Sequence, residues 1–146
     1  MGPKNTVMTS QDDLDRVRQG WAVAAGLPDR TAQTFYATLF AQDPSTKPLF
    51  RGDLALQGRK LVDTLGFIVD HLDAPDRLMP AARSLAIRHV AYGVTAAHYG
   101  AVGTALITTL RTLLGSSFSD ADEAAWRNVY GGLSDAMIAA AYPGQT

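Results

Sequence analysis

Leu85-Ala86-Ile87-Arg88-His89-Val90-Ala91-Tyr92-Gly93-Val94 sets one histidine where an apolar side chain belongs. Counting back from His89 at helical spacing gives Ala86, Leu85, Ala82 and Leu78, which share one helix face with it. His89 therefore points inward. A buried imidazole needs partners for its ring nitrogens, and these can be protein groups or a metal. The stretch by itself leaves both readings open.

The same helical spacing continues on either side of that stretch. Downstream, Thr95 caps a helix presenting Tyr99, Val102, Leu106, Leu110 and Leu113 before Gly115 ends it, and Ser119 caps a last helix carrying Trp126, Val129, Tyr130, Leu133 and Met137 until Pro143-Gly144. Upstream, Pro80 is expected to restart the helix that carries Leu85 and His89, after a helix from about Leu54 to Leu72 that Asp73-Ala74-Pro75 closes. Before it comes a turn, Arg51-Gly52-Asp53, and a short corner from Pro44 to Phe50. A second helix begins near Pro28 with Ala32, Phe35, Tyr36, Leu39 and Phe40 on one side, and a first runs about four turns from Ser10 with Leu14, Val17 and Trp21 inward. No stretch alternates polar and apolar over strand length, so the sequence predicts an all-α domain. Residues 1–9 read as a flexible tail and 10–146 as a single domain.

Composition narrows the chemistry. At 146 residues, with 47% hydrophobic residues and a net charge of -1, the chain can bury one core and shows no polyanion-binding balance, so nucleic acid is not an expected partner. Cysteine is absent, which removes disulfides, thiolate metal sites and iron–sulfur clusters together and fits a cytoplasmic protein. No run approaches a membrane span. There is no glycine-rich phosphate loop, no Gly-x-Ser-x-Gly and no His-Glu-x-x-His.

Six separated pieces, in order, then carry a resemblance. They are Thr34-Phe35-Tyr36 with Leu39-Phe40, Asp43-Pro44 with Lys47-Pro48-Leu49-Phe50, Gln57 with Leu61, Arg88-His89 through Gly93-Val94, Ala97-His98-Tyr99 with Val102-Gly103, and Trp126 through Tyr130-Gly131. Together they resemble a globin, and in particular the bacterial single-domain haemoglobins and the globin domain of flavohaemoglobins. The resemblance implies a globin-like fold of about seven to eight helices around haem b (iron protoporphyrin IX).

By that resemblance His89 is the proximal iron ligand, and His71 and His98 are not. Tyr36, Gln57 and Leu61 fall at the distal site, where a phenol and an amide are neutral donors to dioxygen as it gains negative charge. Each such bond contributes about 1 kcal/mol net, and about 1.4 kcal/mol changes an equilibrium tenfold, so slow O2 release is expected. Phe50 matches the phenylalanine that lies flat against the porphyrin; Leu85, Val94 and Val102 would complete the apolar wall, and Arg88 could pair with a propionate. Ala32 and Gly58 would let two helices cross closely beside the pocket.

The resemblance also implies function and partners. The leading reading is reversible binding of O2, CO and NO for storage, delivery or sensing, as a monomer or weak homodimer. The alternative is a nitric oxide dioxygenase, and because the sequence ends at Thr146 a separate reductase would have to serve it. One departure bears on the choice. In the family pattern a tyrosine and a late glutamate support the proximal histidine; Tyr99 matches the tyrosine, but the glutamate's position falls at Ala141, with no carboxylate in Ala139-Ala140-Ala141-Tyr142.

Overall fold

A computed structural model describes residues 10–50 and 52–142. The expected N-terminal tail, Arg51 of the turn, and the Pro143-Gly144 stop lie outside the described residues. Six α-helices occur among them: α1 (Gln11–Ala25), α2 (Pro28–Gln42), α3 (Leu54–Asp70), α4 (Pro75–Ala91), α5 (Ala96–Leu114) and α6 (Asp120–Ala141). Two 3₁₀ turns, Pro44–Leu49 and Gly115–Ser117, bring the helical segments to the expected number.

Local chemistry accounts for the boundaries. The Ser10 hydroxyl accepts from the Asp13 amide at 3.1 Å, and Asp53 accepts from the amides of Ala55 at 2.9 Å and Leu56 at 3.4 Å, each satisfying donors that a helix start leaves free. Ser119 and Asp122 form a reciprocal box at the start of α6. Gly93 follows α4 at φ +92°, a left-handed conformation that suits glycine and turns the chain toward α5.

One boundary differs from expectation. The helix carrying His89 begins at Pro75, and Pro80 lies inside it. Pro75 occupies the first helical position, where a missing amide costs nothing. Pro80 sits on the exposed side while Leu78 and Ala82 are buried, so inward packing holds the helix through one lost backbone bond.

The helices pack in pairs: α1 on α6, α2 on α5 and α3, and α4 on α6. Two crossings are close because glycine makes them so. A Cβ on Gly58 of α3 would stand 2.7 Å from the Ala32 Cβ of α2, and one on Gly103 of α5 would meet the Tyr130 ring at 2.6 Å. The core falls into two bodies. The larger includes Val17, Trp21, Phe35, Tyr36, Leu39, Leu106, Leu110 and Trp126; the smaller consists of Ala82, Ala86, Tyr99 and Met137 with partly buried neighbours. The helices α3 and α4 share at most marginal contact. Among the described residues no helix is long and apolar enough to cross a membrane.

Candidate functional site

On α4, the buried face formed by Leu78, Ala82 and Ala86 carries His89 inward at its C-terminal end, where the ring is half-buried. Its ring centroid lies 6.1 Å from that of Tyr99 and 6.4 Å from that of Tyr92. The Nδ1 atom is buried and meets no partner in full hydrogen-bond geometry. Burial holds the ring's pKa below its ordinary value and the Arg88 charge adds to this, while the Leu85 carbonyl one turn back opposes it. The imidazole is neutral, the form in which a ring nitrogen can coordinate a metal.

The other two histidines are engaged locally. His71 Nδ1 lies 2.7 Å from the Phe67 carbonyl and its ring stacks on Phe67. The Thr95 amide donates to His98 Nδ1 at 3.0 Å, making His98 part of the α5 cap. Among the described residues no cluster of three or more His, Cys, Asp or Glu could hold a metal ion. A metal centre here would rest on one histidine and a bound group.

In the larger core body, Tyr36 on α2 is 6% exposed and enters an aromatic cluster. Its ring stacks on Phe40 at 5.8 Å and meets Phe50 edge-on at 5.1 Å, and Phe40 meets Phe50 at 5.6 Å. Burial pushes the Tyr36 phenol up to about 12, so it keeps its proton and can donate. Gln57 is half-buried in the first turn of α3, and its amide nitrogen would lie 3.8 Å from a Cβ on Gly52. The tight Ala32–Gly58 crossing brings α3 against α2 beside Tyr36, whose Cε2 would be 3.7 Å from a Cβ on Gly58.

The two core bodies divide the sequence-predicted residues. Phe50, Leu61 and Val102 pack, partly buried, on the larger body with Tyr36; Leu85 and Val94 pack on the smaller one with Tyr99. Arg88 is exposed and has no ion pair among the described residues. Phe40 packs on both Tyr36 and Phe50. Two residues take positions that the sequence reading did not single out: the exposed Tyr92 ring lies near that of His89, and the Tyr142 hydroxyl donates to the Val94 carbonyl. Tyr142 had a signal: it is the one polar-tipped side chain in Ala139–Tyr142, where only a carboxylate was sought.

The Globin family model matches residues 33–137. The chain is a globin. It is similar to the flavohemoproteins of Bordetella parapertussis (32% identical over 107 residues, 71% of this chain and 27% of that protein) and Chromobacterium violaceum (33% over 107 residues, 71% and 26%). With the flavohemoprotein of Vibrio cholerae the identity is 25% over 134 residues, 90% of this chain and 34% of that protein. The globin thus spans about a quarter to a third of the length of these relatives. Globins pack their helices around a haem, and the residues of this globin fit one. A half-buried histidine that burial favours as neutral, with a buried Nδ1 and a buried Tyr99 hydroxyl without partners, and apolar side chains in two separate bodies are what a flat, apolar, metal-bearing group would use.

Proposed function

We propose that residues 10–146 act as one domain that holds haem b between the two core bodies and binds O2, CO and NO reversibly. The observation that carries this reading is His89: a neutral, half-buried imidazole on the smaller body, with the other two histidines engaged in local caps. Haem iron supplies a site that takes up diatomic ligands. Each residue then has a task. His89 would hold the iron through one ring nitrogen, its Nδ1 proton free to turn to the Leu85 carbonyl or Tyr99. Phe50, Leu61, Leu85, Val94 and Val102 exclude water with apolar surface, and exposed Arg88 meets a propionate. Tyr36, kept protonated by burial, and Gln57 donate to the incoming ligand, which slows O2 release. The cysteine-free sequence suits a reducing cytoplasm.

Absorption spectra of the purified protein, as isolated, reduced, and reduced under carbon monoxide, test the reading. A Soret band that shifts with each treatment is expected. A colourless protein that takes up no added haem yet melts cooperatively would overturn it.

The similarity to flavohemoproteins favours a second reading, a nitric oxide dioxygenase served by a separate reductase. Its balance is NO + O2 + one electron giving nitrate, with the electron drawn from that reductase. Ala141 weighs against efficient turnover, since no carboxylate there strengthens His89 through Tyr99. Nitrate formation in the presence of a flavin reductase would decide between the two.

A further inference from the structure

We propose that the segment preceding α1, through Val7 and Met8, docks in the groove between α4 and α6 and braces the helix that carries His89. The groove has a volume of about 290 Å³ and is walled by Met79 and Ala82 on α4 and by Ala136, Met137, Ala139 and Ala140 on α6. Four alanines leave room that longer side chains would fill. Ala82 and Met137 belong to the small core body that also holds Tyr99, so whatever fills the groove presses on the back of that body. The inference goes beyond the haem-binding reading and does not depend on it.

Direction along α6 names the occupant. Arg16 of α1 pairs with Asp122 of α6 at 2.9 Å, and earlier in α1 Asp13 accepts from Asn128, later in α6, at 3.2 Å. The two helices are therefore antiparallel, and the start of α1 points toward the end of α6. On the stripe of α6 that α1 covers, Ala125 and Val129 are buried. Ala136 and Ala140 continue that stripe at helical spacing, half-buried, and Ala139 beside them is exposed. They lie beyond the point where α1 begins.

Length gives the match. Ala136 and Ala140 lie about 12 and about 18 Å past Asn128 along the axis of α6, at about 1.5 Å per residue. From Asp13 the chain runs back about 4.5 Å to Ser10, and an extended chain at about 3.3 Å per residue then brings Met8 to about 11 Å and Val7 to about 14 Å on the same scale. Both fall at the groove. Val7 and Met8 are the only large apolar side chains between Lys4 and Leu14. Successive side chains of an extended chain point to opposite sides, so one meets the α4 wall and the other the α6 wall. Met79 and Met137 are unbranched and adapt to what they meet. Pro143-Gly144-Gln145-Thr146, after α6, offers no side chain of this kind. A segment tethered to α1 is present at high effective concentration, so modest apolar contact holds it where a separate partner would be released.

The test uses the full-length protein, reduced under carbon monoxide, with a nitroxide attached at Asn5→Cys; the chain has no other cysteine to react. The label should broaden the amide resonances of Met79, Ala82, Ala136 and Ala140 and leave those of Asp29 and Arg30 on α2 sharp. Ala139→Asp, at an exposed part of the groove wall, should remove most of that broadening. Met8→Asp should remove it too, and should speed hydrogen exchange of the α4 amides by about tenfold. Broadening spread evenly over the surface, broadening that both aspartate variants leave intact, or α4 exchange unmoved by Met8→Asp overturns the proposal. Broadening that fades on dilution, in a protein that sediments as a dimer, gives the groove to the segment of a second copy and overturns it as well.

Discussion

Gly58 and Ala32 meet where α3 crosses α2, so closely that a Cβ on Gly58 would stand 2.7 Å from the Cβ of Ala32. Two methyl carbons cannot approach that far without moving backbone. Gly58→Ala should therefore push the helices apart, at about 1–3 kcal/mol as for other overpacked sites. Thermal unfolding of the haem-free protein should shift down by about 2–4 °C for each kcal/mol. Because Gly58 follows Gln57 and adjoins Tyr36, the same variant should change ligand release. An unchanged melting temperature would mean the two helices separate freely.

His89 makes the stability of the haem-free protein depend on pH. Burial, assisted by the Arg88 charge and opposed by the Leu85 carbonyl, lowers its pKa in the folded chain from the ordinary 6.5. The unfolded chain therefore binds more protons than the folded one as pH falls through 6.5. The neutral ring costs no stability above that value. Below it stability falls, until the folded pKa is passed. Urea unfolding at pH about 7.5 and about 5.5 should show the loss, and His89→Leu should reduce it. A variant with the wild-type slope would place the titration elsewhere. Haem retention should be lost in the same variant at either pH.

Tyr36→Phe removes one donor while keeping the ring that stacks on Phe40 and meets Phe50. The loss of one net hydrogen bond, about 1 kcal/mol, should speed O2 dissociation by about five- to tenfold. Stopped-flow displacement of O2 by carbon monoxide reads the rate directly. Folding stability should change little, because the phenol is not needed for the packing. An unchanged rate would mean that Tyr36 points away from the ligand and serves only the aromatic cluster.

Much of this was legible from periodicity. The inward face of α4 follows from spacing, because helix faces repeat in sequence; the corner before Phe50 follows from its prolines, and the Ala32–Gly58 crossing was implied by the family resemblance. The start of α4 was not legible: two prolines compete at Pro75 and Pro80, and inward packing around Pro80 decides for the earlier one. Nor was the division of the core. Leu61 and Leu85 read alike as apolar helix residues, and only the tertiary arrangement sends them to different bodies. The role of Tyr142 as donor to Val94 depends on the α6 terminus meeting the corner after α4, a pairing 48 residues apart that no local pattern encodes.

That corner also decides what kind of haem chemistry the proximal side supports. The Tyr99 hydroxyl is buried without a partner beside the His89 ring, and burial, with Tyr142 nearby, pushes its pKa up. Ala141 packs, partly buried, against the same small cluster. Ala141→Glu would offer the buried Tyr99 hydroxyl a charged acceptor, and a Tyr99 oxygen held that way could accept in turn from Nδ1 of His89, which has no partner of its own. A more basic imidazole donates more strongly to iron, so the reduction potential of the haem-loaded variant should fall and its turnover with peroxide should rise. Ala141→Gln, of the same shape without the charge, should move neither by much. Burial of the new carboxylate has a cost of its own, so the haem-free melting temperature should drop in the glutamate variant more than in the glutamine one. A potential unchanged by Ala141→Glu in a protein that still folds and binds haem would mean that Tyr99 does not couple this position to His89.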